Sequence, residues 1–129
     1  MRQGEIIKLK WNDIDFDRNQ ITVRDTKNGS NRVIAISSIL RGALVNTHKT
    51  DETLFTITAS GLQQSFRKLT AKLQIHNLRF HDLRHEAISS FFEMGLSVPE
   101  VQLMSGHRTL DQLMRYSHAS IEQIKQKVG

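Results

Sequence analysis

Between residues 14 and 36 the apolar side chains fall at every second position, and after Ser37 that spacing does not return. Ile14 and Phe16 alternate with aspartates, Ile21 and Val23 with Thr22 and Arg24, and residues 32–36 form a β-rich run. A period of two sends successive side chains to opposite faces of a strand. Asn28-Gly29 stands between the second and third runs, where a tight hairpin turn needs positive φ. The pattern predicts a three-stranded antiparallel meander, turning most sharply over residues 27–30. Residues 3–10 read as the last turns of a helix. From Ser37, itself a plausible cap, the rest reads as helices near 38–48, 60–73, 81–94, 97–105, 109–116 and 120–127. Gly95 and Gly106 are natural stops, and Pro99 suits a first turn opened by Ser97. The fold class is therefore α+β, mainly helical, with a small three-stranded antiparallel sheet near the N-terminus.

At 129 residues the chain is one domain's worth. Its 18 Lys and Arg against 13 Asp and Glu give a net charge of +5, which favours a polyanionic partner. The positive residues are spread along the chain and form no tail, so a groove or face fits better than a disordered arm. Cysteine is absent, which excludes disulfides and thiolate metal sites. The six histidines show no HExxH or comparable ligand spacing, and no metal is expected. There is no apolar run of membrane-spanning length and no signal peptide in MRQGEIIKLK, so a cytoplasmic protein without a membrane partner is expected.

The stretch HDLRH, residues 81–85, crowds two histidines and an arginine into the start of a helix that needs only a cap, a role open to Asp82. Helical spacing puts Leu83, Ala87, Phe91 and Met94 on one stripe, expected to be buried, and His81, Arg84, His85 and Ile88 on the neighbouring face. His81 and Arg84, three apart, project into the same space. A guanidinium matches two phosphate oxygens at once, and a helix N-terminus adds its own attraction for anions. Taken alone, HxxR reads more readily as a salt-bridged surface turn with His85 merely packing.

The longer run HDLRHEAISSFFEMGLSVPEVQLMSGHRTLDQLMRYSH closely resembles the C-terminal signature of the tyrosine recombinase (phage integrase) family: a His-x-x-Arg box, a Gly-His, then a tyrosine after a short helix. Met1 to Glu5, MRQGE, resembles the family's first box, and Lys27 at the Asn-Gly turn matches its hairpin lysine. The resemblance covers essentially the whole chain. It implies a catalytic set of Arg2, Lys27, His81, Arg84, His107 and Tyr116, supported by Glu5 and His85. It also implies double-stranded DNA as partner, a homo-tetramer on that DNA, no small-molecule substrate, and neither cofactor nor metal.

The chemistry agrees with that set. A tyrosine hydroxyl titrates near about 10 and is a weak nucleophile at neutral pH, so it needs a base, for which the resemblance offers His81. Charge that builds on the non-bridging oxygens would be met by Arg2, Arg84 and His107, and the departing 5′ oxygen would take a proton from Lys27. Glu5 would pair with the first arginine, or lie beside Lys8 on the surface. His118 is expected in solvent, Trp11 in the core at the start of a strand, and Leu103, Met104, Leu110, Leu113 and Met114 in the packing that holds the tyrosine.

Family members carry a separate N-terminal DNA-binding domain and helices ahead of the first-box arginine. Residues 1–129 are accordingly expected to be a C-terminal portion of the catalytic domain, with residues 120–128 as a tail helix docking on a neighbour. A DNA-binding module without catalysis, and a type IB topoisomerase-like strand transferase, are the competing readings.

Overall fold

The computed structural model describes residues 1–24, 30–116 and 121–129. Helix α1 (Gln3–Ile7) leads through a 3-10 turn (Trp11–Asp13) into strands β1 (Ile14–Asp15), β2 (Gln20–Arg24) and β3 (Asn31–Ala35). Six helices follow: α2 (Ser38–Val45), α3 (Ala59–Lys72), α4 (Asp82–Glu93), α5 (Val98–Ser105), α6 (Asp111–Met114) and α7 (Ile121–Val128). None of the described helices is long and apolar enough to cross a membrane.

The sheet is the antiparallel meander β1-β2-β3, with Ile21 opposite Ile34 and Val23 opposite Arg32. Ile14, Ile21, Val23 and Ile34 turn to one face and pack with Leu9, Ile36, Leu44 and Leu54. Period two thus builds the larger core. Trp11 packs against this core from the 3-10 turn rather than from a strand, because the Asp13 carboxylate bonds back to the Lys10 N–H at 3.0 Å and holds the chain in a turn. The expected turn over residues 27–30, with Lys27 and Asn28-Gly29, lies outside the described residues except for Ser30.

Helix boundaries follow their caps. Ser37 accepts from the Leu40 N–H at 3.2 Å. Ser97 and Glu100 form a reciprocal box around Pro99 in the first turn of α5. Gly95 and Gly106 take φ of +93° and +76°, a region open to glycine, and each ends its helix.

A second, smaller core of Ile88, Val101 and Leu113 joins α4, α5 and α6, with Phe91, Phe92, Leu96, Val98 and Tyr116 around it. Helix α5 connects the two cores: Val101 belongs to the second while Met104 packs on the first.

This arrangement corrects two expectations. On α4 the buried residues are Arg84 and Ile88, while Leu83 and Met94 are 46% and 71% exposed. Two adjacent stripes both carry apolar side chains, and the one whose arginine finds a buried acceptor on α5 turns inward. Of the five residues expected to hold the tyrosine, Leu113 alone is fully buried; Met104 packs on the sheet core and Leu103, Leu110 and Met114 are exposed. Helix α6 has only four residues, too few to bury more than one side chain.

Candidate active site

At the start of α4, Asp82 bonds the turn before it, accepting from the Arg79 N–H at 2.8 Å and facing the Arg79 guanidinium at 3.5 Å. It holds no other member of HDLRH. Arg84, three residues from the exposed His81, points inward and is buried. Its Nη2 donates to the Ser105 carbonyl at 2.8 Å and lies 3.5 Å from His107 Nδ1. Its Nη1 is buried with no hydrogen-bond partner among the described residues. Burial, then the nearby Arg2 and Arg32, lower its pKa to about 10, against the opposing pull of Glu5 and Tyr116. The guanidinium stays charged at neutral pH. A buried cationic donor without an acceptor is costly, and an anion placed against it removes that cost.

His107 follows the left-handed Gly106 that ends α5. The Ser105 hydroxyl accepts from the His107 N–H at 3.4 Å and donates to Nδ1 at 2.7 Å. With donors facing Nδ1, the proton of the neutral ring sits on Nε2. Desolvation, then the charges of Arg84, Arg2 and Arg115, lower the His107 pKa to about 4, so the ring is neutral in ordinary buffers. It offers one N–H donor to an oxygen beside Arg84.

Arg32, which sequence reading counted only among the scattered charges, locks three parts of this site together. Its Nη1 and Nη2 donate to the Glu5 carboxylate at 2.5 and 3.0 Å, and its Nε to the Met104 carbonyl at 3.3 Å. Glu5 was expected to pair with Arg2 or Lys8. Its side-chain ion pair is instead with Arg32, and it reaches Arg2 through the backbone, accepting from the Arg2 N–H at 2.5 Å. Burial pushes the Glu5 carboxyl up, but the Arg32 hydrogen bonds and the Arg2 N–H override it and hold the pKa below its usual value. The arginine was legible in principle. Arg32 shares its strand face with the buried Ile34, and a charge on the buried parity of a strand demands a partner.

Arg2 caps α1 with an exposed side chain, close enough that its charge lowers the pKa of His81, Arg84 and His107. For His81 the larger causes are loss of water and the charges of His85 and Arg84. Lys27 and His118 lie outside the described residues.

Tyr116 follows α6, its N–H bonded to the Leu113 carbonyl at 3.0 Å. Its hydroxyl is in hydrogen-bonding contact with His85 Nδ1, and Arg115 Nη2 donates to it at 3.0 Å. The phenol stacks on the His85 ring with centroids 5.8 Å apart and planes 24° apart. His81 meets His85 edge-on, at 4.8 Å between centroids. Helices α4, α5 and α6 thus gather Arg84, His107, His85 and Tyr116 at one end of the second core, with Arg2 within electrostatic reach.

Residues 1–123 match the family model described as the phage integrase family. The chain belongs to the phage integrase family. Within it, the chain is similar to a shufflon-specific DNA recombinase of Escherichia coli, 44% identical over 133 residues that cover 99% of this chain and 34% of that protein. Among solved structures it is similar to the catalytic domain of bacteriophage HP1 integrase, with 25% identity, a TM-score of 0.75, and coverage of 98% of this chain and 73% of that one. The Tn1549 transposon integrase, solved in complex with transposon right end DNA, shares the fold at a TM-score of 0.76 and 19% identity, covering 99% of this chain and 54% of that one. The chain spans about a third of the length of the shufflon recombinase.

Proposed function

We propose that the chain is the catalytic portion of a site-specific DNA recombinase, which breaks and rejoins strands through a 3′-phosphotyrosyl link at Tyr116. The observation that carries the reading is the Arg84 Nη1, which has no hydrogen-bond partner among the described residues and is buried beside the neutral His107 within the field of Arg2. A scissile phosphodiester is the anion that fits such a cradle. The buried guanidinium and the His107 Nε2–H stabilise the charge that grows on the non-bridging oxygens as phosphorus becomes pentacoordinate.

In the cleavage step the Tyr116 oxygen bonds to phosphorus as the phosphorus–O5′ bond breaks. The tyrosine proton leaves to a base, and O5′ takes a proton from an acid, the role that the family resemblance gives Lys27. Each bond formed replaces a bond of the same kind, so rejoining runs along the same path backwards. The partner is double-stranded DNA, in keeping with the transposon end DNA bound by the Tn1549 integrase. On this reading residues 1–129 work with a separate N-terminal DNA-binding domain, and four protomers assemble on DNA with α7 docking on a neighbour; deleting α7 should then abolish multimers on DNA.

The test uses a library of nicked duplexes of random sequence, incubated with the chain, denatured in detergent and scored for protein-linked DNA. Covalent adducts are expected with the wild type and none with Tyr116→Phe, while Tyr116→Phe still retards DNA in a gel. Adducts that persist without Tyr116, or no adducts from a wild type that binds DNA, would overturn the reading.

A further inference from the structure

We propose that His85 is the base that takes the Tyr116 proton, so that the nucleophile is activated by the second histidine of HDLRH and not by His81. The inference rests on the reading of Tyr116 as nucleophile.

Two groups among the described residues contact the Tyr116 oxygen, His85 Nδ1 and Arg115 Nη2. A guanidinium has donors and no lone pair to offer, whereas Nδ1 of a neutral imidazole can receive a proton. Because Arg115 donates to the oxygen, the hydroxyl hydrogen is left to point at His85. His81 touches His85 by a ring edge and is not among the groups that contact the phenol oxygen.

The contact is built into the helix packing. His85 and Ile88 are three apart on α4, and Leu113 and Tyr116 are three apart across the end of α6. Ile88 and Leu113 are both fully buried in one cluster, and that pairing sets His85 opposite Tyr116 one turn further along. Near-parallel stacking of the two rings then fixes the phenol beside its acceptor.

The division of labour follows. As the Oη–phosphorus bond forms, the hydroxyl proton passes to His85 Nδ1, and Arg115 Nη2 stabilises the charge on the oxygen. The phosphorus–O5′ bond breaks and O5′ is protonated by the separate acid. On rejoining, the His85 imidazolium returns its proton to the departing Tyr116 oxygen. His81 is released from the base role and is left as an exposed neighbour of the His85 ring.

The single tyrosine of the chain makes the test specific, because biosynthetic difluorotyrosine enters only at position 116. Fluorination makes a phenol more acidic and less dependent on a base. Adduct formation on the duplexes captured above is timed for wild type, His85→Ala and His85→Asn, each with tyrosine and with difluorotyrosine. His85→Ala should slow the step roughly 10²- to 10⁴-fold while gel-shift affinity is kept. Difluorotyrosine should shrink that loss at least about tenfold. His85→Asn keeps an acceptor where Nδ1 was but no basic nitrogen, and should remain slow. A His85→Ala rate within about threefold of wild type, recovery in His85→Asn, or a loss that difluorotyrosine leaves unchanged would overturn the assignment. If wild type itself gives no adduct, the strand-transfer reading falls and takes this one with it; if wild type reacts and His85→Ala reacts equally, this inference alone falls.

Discussion

Gly106→Ala should be among the most damaging small changes in the chain, for two separable reasons. The first is conformational: at φ +76° an alanine pays about 1–2 kcal/mol that glycine does not. The second is steric. A Cβ at position 106 would lie 2.7 to 2.9 Å from Nη1, Cζ and Nε of Arg32, against a comfortable separation of about 3.5 Å. The guanidinium would have to retreat by about 0.8 Å. A free arginine would do so at little cost, but this one is held by Glu5 at 2.5 and 3.0 Å and by the Met104 carbonyl at 3.3 Å, with both side chains of the pair under 15% exposed. Losing one charge-assisted bond there costs about 1.5–3 kcal/mol, for a total of about 2.5–5 kcal/mol. Urea unfolding of Gly106→Ala measures the total. Repeating it on Arg32→Ala/Glu5→Gln, which removes the obstacle without stranding a charge, should leave only the conformational part of about 1–2 kcal/mol. If the two sets of changes add within about 0.5 kcal/mol, Arg32 is not what Gly106 accommodates, and the lock between α1, β3 and α5 is misassigned.

Other consequences can be checked with the same chain. Leu113→Ala empties a fully buried position in a three-residue core and should cost about 2–4 kcal/mol in urea unfolding, with adduct formation falling further than stability because Tyr116 loses its anchor. His107 titrates near 4 when folded and near 6.5 when unfolded, so between those values the unfolded state binds more protons. Its contribution to stability is whole above about pH 6.5 and is lost as pH falls toward 4; the urea midpoint of His107→Gln should fall less steeply than that of wild type over this window. Arg84→Lys keeps the charge but loses the fork whose Nη2 reaches the Ser105 carbonyl while Nη1 is presented to the phosphate, and should reduce adduct formation at least about 100-fold.

Much of this was legible in the chain because local rules and the fold agree. Alternation fixes Ile14, Ile21, Val23 and Ile34 on one face of the sheet, and Ser37, Ser97, Gly95 and Gly106 bound their helices by chemistry that needs no tertiary partner. What was not legible depends on contacts distant in sequence. Whether α4 turns its Leu83 or its Arg84 stripe inward is decided by the Ser105 carbonyl, 21 residues away. Glu5 finds Arg32 across 27 residues, and no local pattern selects that partner over Arg2 or Lys8. His85 read only as a supporting residue because its contact with Tyr116 spans 31 positions and arises from how Ile88 and Leu113 pack. The candidate set was approached through a resemblance, while the meeting of Arg84, His107 and Tyr116 comes from how α4, α5 and α6 pack.

The most direct test of the central claim is mass spectrometry of the wild-type chain after reaction with nicked duplex and digestion of both protein and DNA. The account predicts a single modified peptide, carrying a nucleotide 3′-phosphate on Tyr116. A nucleotide on any other residue, or an unmodified Tyr116 in a chain that has cleaved DNA, would contradict it.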